Sequence, residues 1–583
     1  MLFQTPEFLI LFIVAIAMIA ISRRNTRQHA LITVLSYVFY AWLDVRFLIL
    51  LLITSLVDFV AALGMDKEEL SWKRRWKLSG FTMVMALLTL GLNWQLVQGV
   101  GREGIAWTID SVLQPLLVGD WTLRATDSIA TPRTYAAWIS LGACLIFSIA
   151  WPFVYEWLWR AYRGEARRKA FLVASVISNL GVLGFFKYFN FFIAGISAAS
   201  VAFGADFTRP HLDVLLPMGI SFYTFVSMSY TIDAYRKQLT PERSFMRFSL
   251  FVCYFPHLVA GPIIRPDNFF PTLGDPWRFS SARVISGFNL CLNGLVKKVL
   301  IADSISPLVD QLLANPASSG ASSLVVMLGA FLFAVQIYCD FSGYSDIARG
   351  VSRMFGPELP INFNFPYFST SIIDFWRTWH ISLSTWLRDY LYIPLGGGRG
   401  SVPRVYSNLL ATMVLGGLWH GASANFVLWG FYQGILLCLN RYLRWILAGF
   451  PLLEKLLHTR IGTAMRWIAT MYLVVLGWLL FRINNPIDPF DFADLTYCIK
   501  KFVLIDGNLN LQALGLGPKA PFLVAMLVCA FLLLHALSYF TGRLHERMDG
   551  MRVGVLAGVY ASFAVVFFFF WPSTSGTFIY FQF

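Results

Sequence analysis

Two histidines stand where an imidazole can do more than pack. His420 lies in Leu418-Trp419-His420-Gly421, and no residue from Ala411 to Trp429 carries a formal charge. An imidazole buried in such a stretch stays neutral, because an isolated charge is costly there. A neutral imidazole is what a general base needs. The flanking glycines allow close approach of a ligand or of another helix. The plainer reading is a helix-packing histidine bonded to a carbonyl. His380 lies in the run Asp374 to Tyr390. Read as one helix, Arg377, His380, Ser384 and Arg388 recur at spacings of three and four and share a polar, basic face. Trp379, Leu383, Trp386 and Tyr390 form the opposite face. Such a helix either lies flat at a membrane interface or lines a channel for an anionic or carbonyl-bearing substrate.

The remaining chemistry-bearing residues are plainer. His257, next to Pro256, suits a structural role in a broken or re-entrant segment, and His535 suits a satisfied helix position. His29, His211, His458 and His545 fall in loops or at segment ends, where solvation accounts for them. Gly396-Gly397-Gly398-Arg399-Gly400 lacks the strand–loop–helix setting of a phosphate loop. There is no Gly-x-Ser-x-Gly elbow. No cluster has metal-ligand spacing, so no metal site is expected. None of the seven cysteines forms a CxxC pair, and they read as small buried residues.

The elements that must position these residues are membrane helices. Of 583 residues, 57% are hydrophobic and only 13% charged, against about a quarter charged in soluble domains. Apolar segments long enough to span recur almost end to end. The expectation is an all-α integral membrane protein, a polytopic bundle with about 11–15 membrane helices, some re-entrant, around a central polar tunnel. We expect a single membrane domain over residues 1–583. Its parts are N-terminal helices over 1–169 with an external loop at 98–134, a core over 170–445 and C-terminal helices over 446–583. The net charge of +14 comes from basic residues in short loops between apolar segments. This is the positive-inside pattern rather than a nucleic-acid-binding surface. The basic stretches 23–27, 73–77 and 160–169 alternate as cytoplasmic loops should, which puts loop 98–134 outside. Between Asp340 and Arg404 the chain gains charges, prolines and glycines. It must there fold against protein, line a wet cavity or lie at the interface.

At Trp379-His380-Ile381-Ser382-Leu383-Ser384 and Leu418-Trp419-His420-Gly421 the chain resembles the membrane-bound O-acyltransferase family. It is most similar to the bacterial branch of alginate O-acetylases, peptidoglycan O-acetylation subunits and teichoic acid D-alanyl transferases. Lys187-Tyr188-Phe189-Asn190-Phe191, Leu216 to Phe225, Ala260-Gly261-Pro262-Ile263, Asp340 to Asp346, Asn364-Phe365-Pro366-Tyr367 and the tail Phe578 to Phe583 carry the same resemblance. It implies an acyltransferase in a bacterial inner membrane, with His420 deep in a membrane-crossing tunnel and His380 nearby. His420 would take the proton of an acceptor hydroxyl. The alkoxide would attack a thioester carbonyl, and His380, Ser384 or a neighbouring amide would stabilise the oxyanion. Arg377 and Arg388 would hold the anionic end of the donor. Trp419 and Asn425 are the further candidates for substrate contact.

The resemblance implies no tightly bound cofactor. Acetyl-CoA or an acyl carrier protein would be the cytoplasmic donor substrate, a separate periplasmic acyltransferase the partner and membrane lipids the surround, with no nucleic acid. Transfer of D-alanine or another acyl group to a lipid, polymer or protein is the alternative. A non-enzymatic transporter or flippase is a third reading, although no internal repeat supports it. The charge pattern makes a direct prediction. Single cysteines placed in loop 98–134 should react with a membrane-impermeant maleimide from the periplasmic side, and cysteines at 73–77 and 160–169 should not. The reverse pattern would overturn the orientation.

Overall fold

A computed structural model describes residues 3–22, 24–42, 44–90, 132–204, 216–483, 490–506, 520–571 and 578–579. Loop 98–134 lies outside the described residues up to position 131, as do His211 and the last four residues of the tail. Among the described residues the chain is helical and contains no strand. Among the described residues seven helices are long and apolar enough to cross a membrane: Arg46–Gly64, Trp138–Ala161, Gly164–Val201, Ser281–Leu312, Ser323–Phe355, Arg460–Arg482 and Val553–Phe570. Pro6–Ile21 and Ala525–Thr541 are shorter apolar helices. The apolar run 246–263 is broken into Phe245–Cys253 and Phe255–Leu258, with Tyr254 between them in a non-helical conformation and Pro256 just beyond.

The contacts group the chain into two compact units. One comprises Met1–Gly181, Tyr223–Leu258 and Arg265–Gly274. The other comprises Val182–Phe222, Val259–Ile264 and Asp275–Phe583. In the first unit, Asp58 on the helix Arg46–Gly64 is fully buried. Its carboxylate accepts from Ser175 Oγ at 2.5 Å, from Asn179 Nδ2 at 2.8 Å and from Ser227 Oγ. Neutral donors thus satisfy the one acid in that apolar run. Within the basic stretch 73–77, Arg75 is set apart from solvent. It is buried, donates to the Leu70 carbonyl at 2.7 Å, pairs with Glu69 and Glu156, and stacks 4.4 Å from the Tyr155 ring. His29 and His545 are also buried rather than solvated. His29 lies a full turn inside the helix Asn25–Ala41, and His458 is exposed as expected.

The second unit is built on the 33-residue helix Ser323–Phe355. Ser281–Leu295 lies along it at backbone distance. A Cβ at Gly294 would stand 2.5 Å from the Gly343 carbonyl oxygen, and one at Gly287 would stand 2.6 Å from that of Gly350. Small residues at such crossings let helices approach closely where no hydrophobic force separates helix from lipid. The charges expected to need partners here find them. Lys298 Nζ bridges Asp303 and Asp340, each at 2.7 Å, and the second Asp340 oxygen accepts from the Ile579 amide at 2.7 Å. Lys297 pairs with Asp346 at 2.5 Å, and Asn293 donates to the same carboxylate at 2.8 Å. Gly294→Ala should lower the thermal midpoint of the detergent-solubilised protein, in line with about 1–3 kcal/mol for overpacking. Gly80→Ala, where a Cβ meets nothing within 4 Å, should leave it unchanged. Equal midpoints for the two variants would contradict the close crossing.

Candidate active site

His420 is the last residue of the helix Val402–His420. That helix turns back at Gly421 into Ala424–Leu447, capped by Ser423 Oγ, which accepts from the Asn425 amide at 3.3 Å. The two helices meet where a Cβ at Gly417 would run into the Phe426 carbonyl and one at Gly430 into that of Met413. The His420 imidazole is buried. Its ring centroid lies 5.0 Å from Trp419, 5.1 Å from Trp429 and 5.2 Å from Phe481. The His380 ring is 6.4 Å away.

His380 is not on the continuous helix expected for residues 374–390. The structure has Ile372–Thr378, then a break, then Ile381–Leu387 and a π-helical turn Arg388–Tyr392. At the break His380 adopts a left-handed backbone, φ 41° and ψ 54°, which is sparsely populated for a residue with a side chain. Strain of this kind persists only where the surroundings over-determine it, and here Asn362 does so. Its carbonyl accepts from the Ile381 amide at 2.9 Å, and its Oδ1 accepts from the amide and hydroxyl of Ser382 at 3.1 and 2.9 Å. The bend turns the His380 ring fully inward, 4.6 Å from Phe341 and 5.9 Å from Trp419.

The break also separates the residues expected on one face. Arg377 is 72% exposed and pairs with Asp374 at 3.6 Å, and Arg388 is 59% exposed and pairs with Asp389 at 2.7 Å. Ser384 donates to the Trp379 carbonyl at 3.2 Å. Asn425 is buried and donates to the Ile483 carbonyl. The structure therefore brings together His420, His380 and Trp419. It places Arg377, Arg388, Ser384 and Asn425 on other contacts.

A cavity of about 110 Å³ opens beside His420, lined by Lys187, Ser221, Phe222, Val259, Trp419 and the turn Leu216 to Ile220. His380 stands behind its wall, near Trp419 and Phe222. Gly219, at φ +74°, permits the turn that ends in the helix Ile220–Tyr235. Lys187, Tyr188, Ser221 and Asn362 are site residues to which the sequence reading assigned no role. For Lys187 the signal was present, since a lone cation in an apolar run marks function by default.

A buried imidazole at a cavity, backed by a second imidazole, suits base-assisted attack by a hydroxyl. A model of the membrane-bound O-acyltransferase family matches residues 35–481, and the chain belongs to that family: it is a multi-pass membrane acyltransferase. It is similar to the probable alginate O-acetylase of Pseudomonas aeruginosa, 40% identical over 407 residues that cover 68% of this chain and 74% of that one. It is 33% identical to the peptidoglycan O-acetyltransferase of Helicobacter pylori over 55% of this chain and 63% of the other. It is 28% identical to the teichoic acid D-alanyltransferase of Bacillus subtilis over 47% and 70%.

His420→Gln should lower turnover by about 100-fold or more, the scale of a lost general base, in a protein that still inserts and melts like the parent. Arg377→Gln should leave turnover within about twofold, because a surface ion pair contributes little. Measured acyl-transfer rates that reverse this ranking would move the chemistry away from the cavity.

Proposed function

We propose that the chain carries an acetyl group from a cytoplasmic thioester, acetyl-CoA or an acyl carrier protein, across a bacterial inner membrane for O-acetylation of an exported polysaccharide, and that a periplasmic transferase completes the transfer. The observation that carries this reading is the cavity at His420. Its volume of about 110 Å³, below the ~150 Å³ of a cavity that accepts benzene, suits a short acyl group. Among the described residues its lining contains the Lys187 ammonium and no acid. That favours a neutral acetyl group over D-alanyl, whose own ammonium would face a like charge. The similarity to two O-acetylating relatives supports the same choice.

In this reading His420 accepts the proton of the attacking hydroxyl. The hydroxyl oxygen bonds to the thioester carbonyl carbon and gives a tetrahedral oxyanion. The oxyanion collapses with cleavage of the carbon–sulfur bond, and the thiolate leaves and takes up a proton. His380, behind the wall, orients Trp419 and His420 through ring contacts. The cavity beside His420 lies on the route of the acyl group, and lipids surround the bundle.

The test uses purified protein in nanodiscs with acetyl-CoA, acetyl carrier protein and D-alanyl carrier protein in parallel, each with a radiolabelled acyl group. Label should leave an acetyl donor in the parent and not in His420→Gln. Consumption of the D-alanyl donor alone would overturn the choice of acyl group. Movement of intact substrate that survives loss of His420 would indicate transport without chemistry.

A further inference from the structure

The end of the His420 helix poses a problem that its own chain does not solve. The last carbonyls of a helix have no partner within it. Many helices close with a left-handed glycine whose amide returns to them. Gly421 instead leaves extended, at φ −162°. Two side chains from one turn take over. The π-helical turn Gly184–Tyr188 directs two consecutive residues to the same place, and π-turns recur at functional sites. Lys187 Nζ donates to the Trp419 carbonyl at 2.6 Å and to the His420 carbonyl at 3.0 Å, with Ser221 Oγ at 3.3 Å as a third acceptor. Tyr188 donates its hydroxyl to the Leu418 carbonyl at 2.7 Å. On the far side, Trp419 Nε1 donates to the Ser221 carbonyl at 3.2 Å, so the cavity wall and the helix end are tied by one set of bonds.

We propose that Lys187 is a positioning residue for catalysis: its ammonium clamps the terminal carbonyls of the Val402–His420 helix and thereby fixes the His420 imidazole at the cavity. The proposal rests on the acyltransfer reading for its kinetic consequence, but not for the clamp itself. A cation at the negative end of a helix is favoured electrostatically. Its three donors match three acceptors, which an uncharged apolar side chain cannot replace. A shift of about 1 Å in a catalytic group can cost on the order of 100-fold in rate, so loosening this turn should be felt in turnover rather than in donor affinity.

The test compares Lys187→Met, similar in length but unable to donate, with Lys187→Arg, which keeps charge and donors. Hydrogen exchange of the peptide Leu415 to Asn425 reads the clamp without any activity. Exchange should quicken in Lys187→Met at an unchanged thermal midpoint and return towards the parent in Lys187→Arg. In the acetyl-transfer assay Lys187→Met should lower kcat about 10- to 100-fold and keep the donor KM within about twofold, and Lys187→Arg should recover much of the loss. Unchanged exchange in Lys187→Met overturns the clamp whether or not the parent transfers acetyl. So does an Arg variant no better than the Met variant, or a kcat loss that appears only together with a fallen midpoint or a raised KM. A parent that transfers nothing, with quickened exchange in Lys187→Met, would leave the clamp standing and remove the acetyl-transfer reading instead.

Discussion

A helix that ends in an apolar surround presents carbonyls that water cannot reach, and His420 sits at such an end. Each unsatisfied backbone group there is expensive, so partners have to be brought from elsewhere in the chain. Lys187 and Tyr188 are brought by the π-helical turn, and Ser221 by the glycine turn before its helix. The cavity is the space left between these suppliers and the helix end they serve. The second histidine answers the same kind of demand. Asn362 holds the chain where a helix would otherwise continue, and the bend that results turns His380 inward against Phe341 and Trp419.

The scaffold behind the site follows from a different balance. A buried ion pair gains little over a well-packed apolar pair, but losing one partner is severe. Lys298 lies between Asp303 and Asp340, and the Ile579 amide completes Asp340. The long helix, the segment before it and the described part of the tail are thereby held in one register. The glycine crossing of Gly294 with Gly343 sets how closely the two helices run. Rings carry the rest of the packing around the histidines. Trp379 lies 4.8 Å from Trp478 and 5.0 Å from Phe363, so the bend is packed on both sides.

How much of this was legible depends on whether a feature is local. The membrane class and the two histidine motifs could be read because charge is scarce in this chain and each polar residue in an apolar run stands out. After Asp340 the chain was expected to fold against protein, line a wet cavity or lie at the interface, and Asp346, Arg349 and Arg353 are paired within the protein. The helix break at His380 could not be read. The spacing of Arg377, His380, Ser384 and Arg388 continues through it, and no proline or glycine marks it. What breaks the helix is Asn362, which reaches Ile381 and Ser382 only in three dimensions. Arg377 and Arg388 were assigned to a shared face for that reason, and the structure turns both outward onto local acids. His29 and Arg75 were misread in the opposite sense. Residues near segment ends look solvated in sequence, yet both are buried one turn inside helices.

The two buried lysines show why the site differs from the scaffold that holds it. Lys298 faces two carboxylates at hydrogen-bond distance, so its charge is compensated and its role is to fix backbone. Lys187 faces carbonyl and hydroxyl dipoles, and among the described residues it has no acid in contact. Its charge is therefore stabilised without being cancelled. In an apolar site such a field acts strongly on whatever charge develops nearby. It opposes a second cation brought into the cavity. The residue that holds the helix end in place thus also lines the cavity, and one lysine links the position of the His420 imidazole to the polarity of the space beside it.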